Sequence, residues 1–315
     1  MNIMNIWQKA REYGKLVVFS NTLFSLSFGL VAIFLAADGL PPARTLALVL
    51  LALLAGRTGA NAFNRLADRD IDGKNPRTAD RHLPAHTLTV WEVCRLIGGC
   101  LVVLIVAAAL LRPLCLALLP VIVGLIVLYS YSKRFTWLCH ILLGVASAAA
   151  PVGAFVAIRG GVNLEGWLLA VANVFWVAGF DIIYAIQDMD FDRRQGLHSI
   201  PAAFGIRTSM WTAACFHVVT LACLFALGAV CGFHPVGFIG LLIISVLTLL
   251  QHRVARAGDD MELAAIGGCR VPGAREFASV EVSRVPDSRE FASMNMSRMV
   301  SVLLLVVFGL HQWLA

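Results

Sequence analysis

Long apolar runs, separated by short charged segments, make up nearly the whole chain. Most of the runs reach the roughly 20 residues that a helix needs to cross about 30 Å of hydrocarbon, and the last is marginal in length. Because lipid offers no partner to unpaired backbone groups, helices are the expected structure. The pattern therefore predicts an all-α integral membrane protein with nine transmembrane helices. They extend over about 16–37, 43–66, 89–111, 113–131, 136–158, 165–187, 208–232, 235–252 and 299–315.

The composition favours a single membrane domain over the whole length, residues 1–315. Hydrophobic residues make up 59% of the chain and charged residues 14%, whereas a soluble domain carries roughly 25% charged residues. This much apolar surface does not fit inside one globular core, so the lipid bilayer is the expected surrounding. The eight cysteines include no C-x-x-C pair, which favours small core residues over a zinc site.

The placement of the basic residues predicts the orientation of the helices. Most of the 25 Lys and Arg residues precede the first predicted span or follow an even-numbered span, whereas the outer loops hold only Arg44, Arg112 and Arg159. By the positive-inside rule, we expect a multi-pass protein of the cell inner membrane with a cytoplasmic N-terminus. The formal charge of +6 then reflects orientation, and no nucleic-acid partner is expected. The basic N-terminal segment leads into a long apolar run, which favours a retained first helix over a cleaved signal peptide.

A tandem duplication interrupts the pattern before the last apolar run. R-V-P-G-A-R-E-F-A-S-V-E-V-S at 270–283 is followed by R-V-P-D-S-R-E-F-A-S-M-N-M-S at 284–297, and the two copies match at nine of 14 positions. The period is too short for a solenoid repeat. We expect residues 254–297 to form an exposed, amphipathic or partly disordered cytoplasmic insert; a docking element for a partner is the alternative.

Two acidic motifs stand at the inner ends of the second and sixth predicted spans. Asn64, Asp68 and Asp72 are four residues apart, so on a helix they form a ladder with about 6 Å between rungs. Asp188 and Asp192 repeat that spacing four spans later. Carboxylates stacked on one face repel each other, unless divalent cations lie between them. Magnesium prefers oxygen ligands and bridges carboxylates to phosphates, so two such ladders favour a Mg²⁺ site over two ordinary solvated helix ends.

Basic residues follow both motifs in a way that suits a diphosphate. Lys74, Arg77 and Arg81 come after the first ladder, and Lys133 and Arg134 end the fourth span. Arginine offers phosphate a bidentate fork, and lysine offers it a point charge. The alternative for these residues is that they anchor the chain at the cytoplasmic side of the membrane.

Five segments together are typical of one enzyme family. They are R-T-G-A-N-A-F-N-R-L-A-D-R-D-I-D at 57–72, K-N-P-R-T-A-D-R at 74–81, Y-S-Y-S-K-R at 129–134, G-F-D-I-I-Y-A-I-Q-D-M-D-F-D at 179–192 and G-L-H-S-I-P at 196–201. With these segments the chain resembles the UbiA-type membrane prenyltransferases from about residue 10 to 250. The insert at 254–297 departs from the family.

The resemblance implies nine helices around a central cavity that opens toward the membrane, capped on the cytoplasmic side by the loops after helices two and six. It also implies that the two ladders hold Mg²⁺ and, through it, a polyprenyl diphosphate. The amino-acid sequence of the segments at 179–192 and 196–201 is similar to that of the 4-hydroxybenzoate branch, in which an aromatic acid accepts the prenyl group. Enzymes that prenylate a dihydroxynaphthoate for menaquinone are the alternative within the family.

Three further residues are candidates for the acceptor site. Asp181 could deprotonate the phenol or take the ring proton, or it could only support another site residue. Arg57 interrupts an uncharged span about two turns from Asn64, where a charge costs about 2.5–3.5 kcal/mol on insertion scales. We expect Arg57 to bind the carboxylate of the acceptor, and Tyr184 is a second acceptor-binding candidate; a structural ion pair of Arg57 with Asp181 or another cavity acid is the alternative. A transporter with membrane carboxylates is the rival class, but these acids lie at helix ends beside cations suited to phosphate.

Overall fold

The structure is a computed structural model that describes Tyr13, residues 19–266 and residues 288–314. Within these residues every regular element is helical. The long helices are α1 (Phe19–Ala37), α2 (Ala43–Ala67), α3 (Val90–Leu111), α4 (Pro113–Ser132), α5 (Cys139–Arg159), α6 (Leu164–Ala185), α7 (Ile200–Val230), α8 (Pro235–Ile266) and α9 (Ser288–Leu314).

Each predicted apolar run corresponds to one of these long helices. Seven of them, α2 to α8, are long and apolar enough to cross a membrane. In α1 and α9 the corresponding apolar stretches are shorter, Leu26–Ala37 and Met296–Gly309, among the residues described. The chain is therefore a multi-pass membrane protein, and membrane crossing by its first and last helices remains a prediction.

Helices α8 and α9 extend beyond their predicted runs, and α7 begins eight residues before the predicted start at 208. Ser199 caps this helix by accepting a hydrogen bond from the Ala202 backbone N–H, and Pro201 lies in its first turn. Both are typical helix-start residues. Gly205 has a φ of +78°, so the residues before 208 form a kinked helix start and not a loop.

The predicted insert at 254–297 is helical at both of its ends. Helix α8 continues to Ile266, and α9 already begins at Ser288. Most of the duplicated segment lies outside the described residues, so the expectation of an exposed or partly disordered insert is untested there.

Helix α6 lies between α5 and α7 and forms the middle of the bundle. Its approach to α5 is close because Gly144 has no side chain: a Cβ at this position would lie 2.3 Å from the carbonyl oxygen of Val174. Small residues permit this kind of contact between membrane helices. Buried side chains from α1, α5, α6, α7 and α9 share one apolar core, which includes Phe28, Phe155, Trp176, Leu224 and Phe308.

Two of the three outer-loop arginines close helix ends on the side opposite the acidic motifs. Arg112 donates to the carbonyl oxygens of Ala157 and Ile158 at 3.1 and 2.9 Å, and Arg159 donates to that of Ala36 at 2.8 Å. The last carbonyls of a helix have no partner within the helix, so cations suit this position. These arginines join the outer ends of α1, α5 and the α3–α4 connection.

Candidate active site

A cavity of about 790 Å³ lies inside the bundle and contains most of the predicted site residues in its lining. Its volume falls in the range of ordinary ligand pockets. Side chains of both acidic motifs line one end. The remaining wall is largely apolar and includes Leu53, Leu118, Leu125, Ala150 and Val174. The shape therefore combines a charged end with a long apolar compartment.

Asp68 lies where α2 ends and is only 4% exposed. Lys133 places Nζ 2.9 Å from its Oδ2, and Asn64 donates to the same oxygen at 3.3 Å. Arg134 has an Nη2 atom 3.5 Å from Oδ1 and donates from it to the backbone carbonyl of Ala67 at 2.6 Å. Thus Arg134 closes the end of α2 from outside the cavity lining, whereas Lys133 faces the cavity itself.

The two ladders are not continuous helix faces as predicted, because the backbone breaks at the same point in both motifs. Asp68 has φ −96° and ψ 2°, and Asp188 has φ −97° and ψ 2°. A short helix follows each break, Arg69–Asp72 in one motif and Met189–Arg194 in the other. This backbone region is sparsely populated and recurs among active-site residues. The break turns each motif at the end of its membrane helix.

The loop after the first motif reaches across to the second. Asn75 donates to Oδ1 of Asp188 at 2.8 Å, and Arg77 donates to the same oxygen through Nε at 2.9 Å. Arg77 also donates to Oδ2 through Nη2. Burial alone disfavours the charged form of Arg77, but its hydrogen bonds to Asp188 and the carboxylate charge outweigh burial and raise its pKa. The two motifs thus meet at one end of the cavity.

Asp72 and Asp192, the last aspartates of the two ladders, have partners of their own. Arg81 donates to Oδ1 of Asp72 at 2.7 Å, and Arg65 lies 3.9 Å from Oδ2. Asp192 accepts a hydrogen bond from the Ser199 hydroxyl at 2.9 Å. Among the predicted cations, Arg77, Arg81 and Lys133 line the cavity.

Lys74 differs from these cations in its surroundings. It is exposed, and it does not belong to the cavity lining. The next residue, Asn75, is buried and hydrogen-bonded to Asp188. Sequence reasoning did not select it as a site residue, because its side chain is uncharged. In this tight turn, consecutive residues point in different directions.

The acceptor candidates lie deeper in the same cavity. The Nε of Arg57 is buried and has no hydrogen-bond partner among the described residues. Asp181 is bonded to His140 at 2.7 Å, so the described contacts do not favour an Arg57–Asp181 pair. The Tyr184 hydroxyl accepts a hydrogen bond from Arg77 Nη1 at 2.7 Å, so this cavity-lining ring contacts one of the diphosphate candidates.

Sequence reasoning missed His140, because nothing in the apolar run around it suggests a function. Its ring is 2% exposed and bridges Asp181 and the backbone N–H of Ile200. The partner residues are 41 and 60 positions away, so the contact exists only once α5, α6 and α7 are packed.

The donor set suits a hard divalent cation. Asp68 Oδ1 is buried without a hydrogen-bond partner, and four aspartates with an asparagine amide supply the oxygen atoms that magnesium prefers. In the part of the chain that is described, no three acidic, His or Cys side chains are grouped closely enough to hold a metal on their own.

Comparison with known proteins bears on this site. The model of the UbiA prenyltransferase family matches residues 25–266, which include both acidic motifs. The chain belongs to the UbiA prenyltransferase family. Among UbiA relatives it is similar to the 4-hydroxybenzoate solanesyltransferase of Synechocystis sp., with 36% identity over 70% of this chain and 75% of that protein. It is also similar to the 4-hydroxybenzoate octaprenyltransferase of Photobacterium profundum, with 32% identity over 78% of this chain and 86% of the relative.

Solved UbiA structures share the fold. A UbiA homologue from Aeropyrum pernix K1 in its apo form has a TM-score of 0.75 and 27% identity, covering 92% of this chain and 97% of that one. A UbiA homologue from Archaeoglobus fulgidus bound to GPP and Mg²⁺ has a TM-score of 0.62 over 95% of this chain and 99% of that one. At 17% identity the second comparison establishes the fold alone.

Proposed function

We propose that this chain transfers a polyprenyl group from polyprenyl diphosphate to 4-hydroxybenzoate in quinone biosynthesis, with a Mg²⁺-dependent site. The observation that carries the proposal is that two acidic motifs with their cations meet at the charged end of one apolar cavity. Such a cavity fits a molecule with a diphosphate head and a hydrocarbon tail. The names of the UbiA relatives support 4-hydroxybenzoate over a dihydroxynaphthoate as acceptor.

At the charged end, Asn64, Asp68, Asp72, Asp188 and Asp192 are the proposed metal ligands. When bound there, Mg²⁺ supplies positive charge that stabilises the departing diphosphate. Arg77, Arg81 and Lys133 line the cavity beside these carboxylates and are placed to bind the diphosphate oxygens. A UbiA homologue of the same fold is bound to GPP and Mg²⁺, which is consistent with a diphosphate and a metal as ligands of this fold.

The proposed reaction breaks the allylic C–O bond, whose electron pair leaves on the diphosphate. The ring carbon ortho to the hydroxyl of 4-hydroxybenzoate forms the new C–C bond to the allylic carbon. That ring carbon then loses its proton, the ring regains aromaticity, and one proton is released in the balance. The apolar wall around Leu53, Leu125 and Val174 keeps water from capturing the allylic cation.

The acceptor lies, in this proposal, between Arg57 and Asp181. The unpartnered Nε of Arg57 suits the carboxylate of 4-hydroxybenzoate, because a buried donor without an acceptor is costly. Asp181 accepts the phenolic proton as the ring attacks, which raises the electron density at the ortho carbon; the oxygen regains a proton when the ring carbon loses its own, so that one proton is released in all. Tyr184, whose hydroxyl is bonded to Arg77, is the second acceptor-binding candidate.

The proposed orientation of the protein in the membrane follows from the distribution of its basic residues. We propose that both motifs face the cytoplasm, that the N-terminus is also cytoplasmic, and that the protein lies in the cell inner membrane. The polyprenyl tail then reaches the cavity from the bilayer.

The proposal is tested with the purified full chain in lipid vesicles. Labelled polyprenyl diphosphate is offered with 4-hydroxybenzoate and a dihydroxynaphthoate in competition, and the products are identified by mass spectrometry. We expect prenylated 4-hydroxybenzoate to predominate and its formation to require Mg²⁺. Preferential prenylation of the naphthoate would overturn the acceptor assignment. Ion or solute transport without diphosphate release would overturn the enzyme assignment.

A further inference from the structure

We propose that His140 is a positioning residue that orients the carboxylate of Asp181 toward the aromatic acceptor and links it to the segment that holds Asp192. This inference rests on the proposed function, in which Asp181 accepts the phenolic proton. It adds a residue whose side chain lines the cavity but which the two acidic motifs do not contain.

The hydrogen bonds of His140 determine which ring nitrogen carries the proton. The backbone N–H of Ile200 donates to Nε2 at 3.3 Å, so Nε2 is an acceptor. In a neutral imidazole the proton then resides on Nδ1, which lies 2.7 Å from Oδ2 of Asp181 and donates to it. The ring is 2% exposed, so water does not compete for either bond. Packing therefore sets both the orientation and the tautomer.

This contact occupies one oxygen of Asp181 and leaves the other available. The side chain of Asp181 is 27% exposed and lines the cavity, and Oδ1 accepts no hydrogen bond from the described residues. A carboxylate held by one oxygen has a fixed direction for its second oxygen. That second oxygen is the one we assign to the phenolic hydroxyl of the acceptor.

The same ring connects the acceptor side to the diphosphate side. Ile200 and Ser199 begin α7; Ile200 is bonded to His140, and the Ser199 hydroxyl donates to Oδ2 of Asp192 at 2.9 Å. The neighbouring His198 is anchored as well, because its backbone N–H donates to the carbonyl of Lys133 at 2.7 Å. Asp192 is thus bonded directly to Ser199, and Asp181 is connected through His140 to the adjacent Ile200.

A purely structural role for His140 is the competing explanation. The first backbone N–H groups of a helix lack partners within the helix, and Nε2 satisfies one of them at the start of α7. If capping were its whole role, the loss of Nε2 would matter and the loss of Nδ1 would not. The two ring nitrogens can be removed separately, so the two roles can be distinguished.

The test uses two substitutions in the full chain. In His140→Asn the amide nitrogen takes the place of Nδ1 and can still donate to Asp181, whereas the acceptor for Ile200 is lost. In His140→Gln the terminal amide takes the place of Nε2 and can still accept from Ile200, whereas the donor to Asp181 is lost. Both are compared with the wild type and with Asp181→Asn.

We expect His140→Gln to lower kcat with 4-hydroxybenzoate by about tenfold or more, as displacement of a general base does. The KM for polyprenyl diphosphate should stay within about twofold, because the metal and diphosphate residues are untouched. The dependence of kcat on pH should change, and His140→Asn should restore most of the activity. In an Asp181→Asn background, His140→Gln should have no further effect, because the proposed action passes through that carboxylate.

The inference is overturned if His140→Gln keeps the wild-type kcat and pH profile. It is also overturned if both substitutions reduce prenyl transfer in parallel with a lower unfolding temperature and weaker binding of polyprenyl diphosphate. An error in the proposed function gives a different result, because the wild type itself would then fail to prenylate 4-hydroxybenzoate.

Discussion

Arg77 donates hydrogen bonds to both carboxylate oxygens of Asp188, through Nε and Nη2, although 111 residues separate them. This fork joins the loop after the first acidic motif to the second motif. A planar guanidinium matches a carboxylate in this way, and lysine does not. The relationship explains how two membrane helices four spans apart form one charged site.

Arg77→Lys should raise the KM for polyprenyl diphosphate by about tenfold, because the point charge remains while the bidentate geometry is lost. The KM for 4-hydroxybenzoate should change little. Steady-state kinetics in lipid vesicles measure both constants. Arg69→Lys is the matched control, since Arg69 lies in the same segment but is exposed and, among the described residues, is paired only with its neighbour Asp70. Equal effects of the two substitutions would contradict the assignment of Arg77 to diphosphate binding.

Loss of one carboxylate from either motif should abolish most activity. Asp68→Asn and Asp188→Asn should each lower kcat by about a hundredfold or more, since each removes charge from the proposed metal site. EDTA should have the same effect on the wild type, and added Mg²⁺ should reverse it. Asp70→Asn is the control, because Asp70 lies in the short helix that follows Asp68 and its side chain is 82% exposed. Full turnover in EDTA would exclude a metal-dependent reaction.

Arg57→Ala should raise the KM for 4-hydroxybenzoate by about a hundredfold, because a charged hydrogen bond in a dry site contributes about 1.5–3 kcal/mol. The KM for polyprenyl diphosphate should not follow. A phenol without the carboxylate should react equally with both enzymes. Arg95→Ala removes another arginine within a span, one that is exposed and absent from the cavity lining, and should be neutral. If the KM rises equally for both substrates in folded Arg57→Ala protein, Arg57 has a structural role.

Arg112→Ala should destabilise the protein by about 1 kcal/mol without changing activity per folded molecule. It leaves the carbonyls of Ala157 and Ile158 without their charged donor at the outer end of α5. Thermal unfolding in detergent, followed by circular dichroism, measures the shift. Arg44→Ala, at an exposed outer position, should leave the midpoint unchanged. A loss of turnover without a lower midpoint would connect Arg112 to the reaction instead.

The sequence predicted the helices well where hydrophobicity alone determines them. The predicted run at 43–66 became Ala43–Ala67, and that at 165–187 became Leu164–Ala185. The start of α7 was missed because the helix continues through a kink at Gly205. Hydropathy reports burial in lipid and does not register such a kink.

The site was predictable to the extent that its residues repeat at helical spacing. Four-residue steps identified Asp68 and Asp188, but the backbone breaks at both positions follow from tertiary contacts. The turn that buries Asn75 and exposes Lys74 has no periodic signature. His140 depends on the packing of three helices, which no local pattern encodes.

The pairing of Asp68 with Lys133, Asp72 with Arg81 and Asp188 with Arg77 has a consequence for how substrate enters. In each pair a cation of the same chain neutralises the acid. Under the proposed function, binding of a magnesium diphosphate would exchange the partners of these ions: the carboxylates would hold the metal, and the cations would bind the phosphate oxygens. Each of these six charged groups would keep an opposite charge before and after the exchange, which avoids the large desolvation cost of an unpaired charge. Release of diphosphate would run the same exchange in reverse and regenerate the resting pairs.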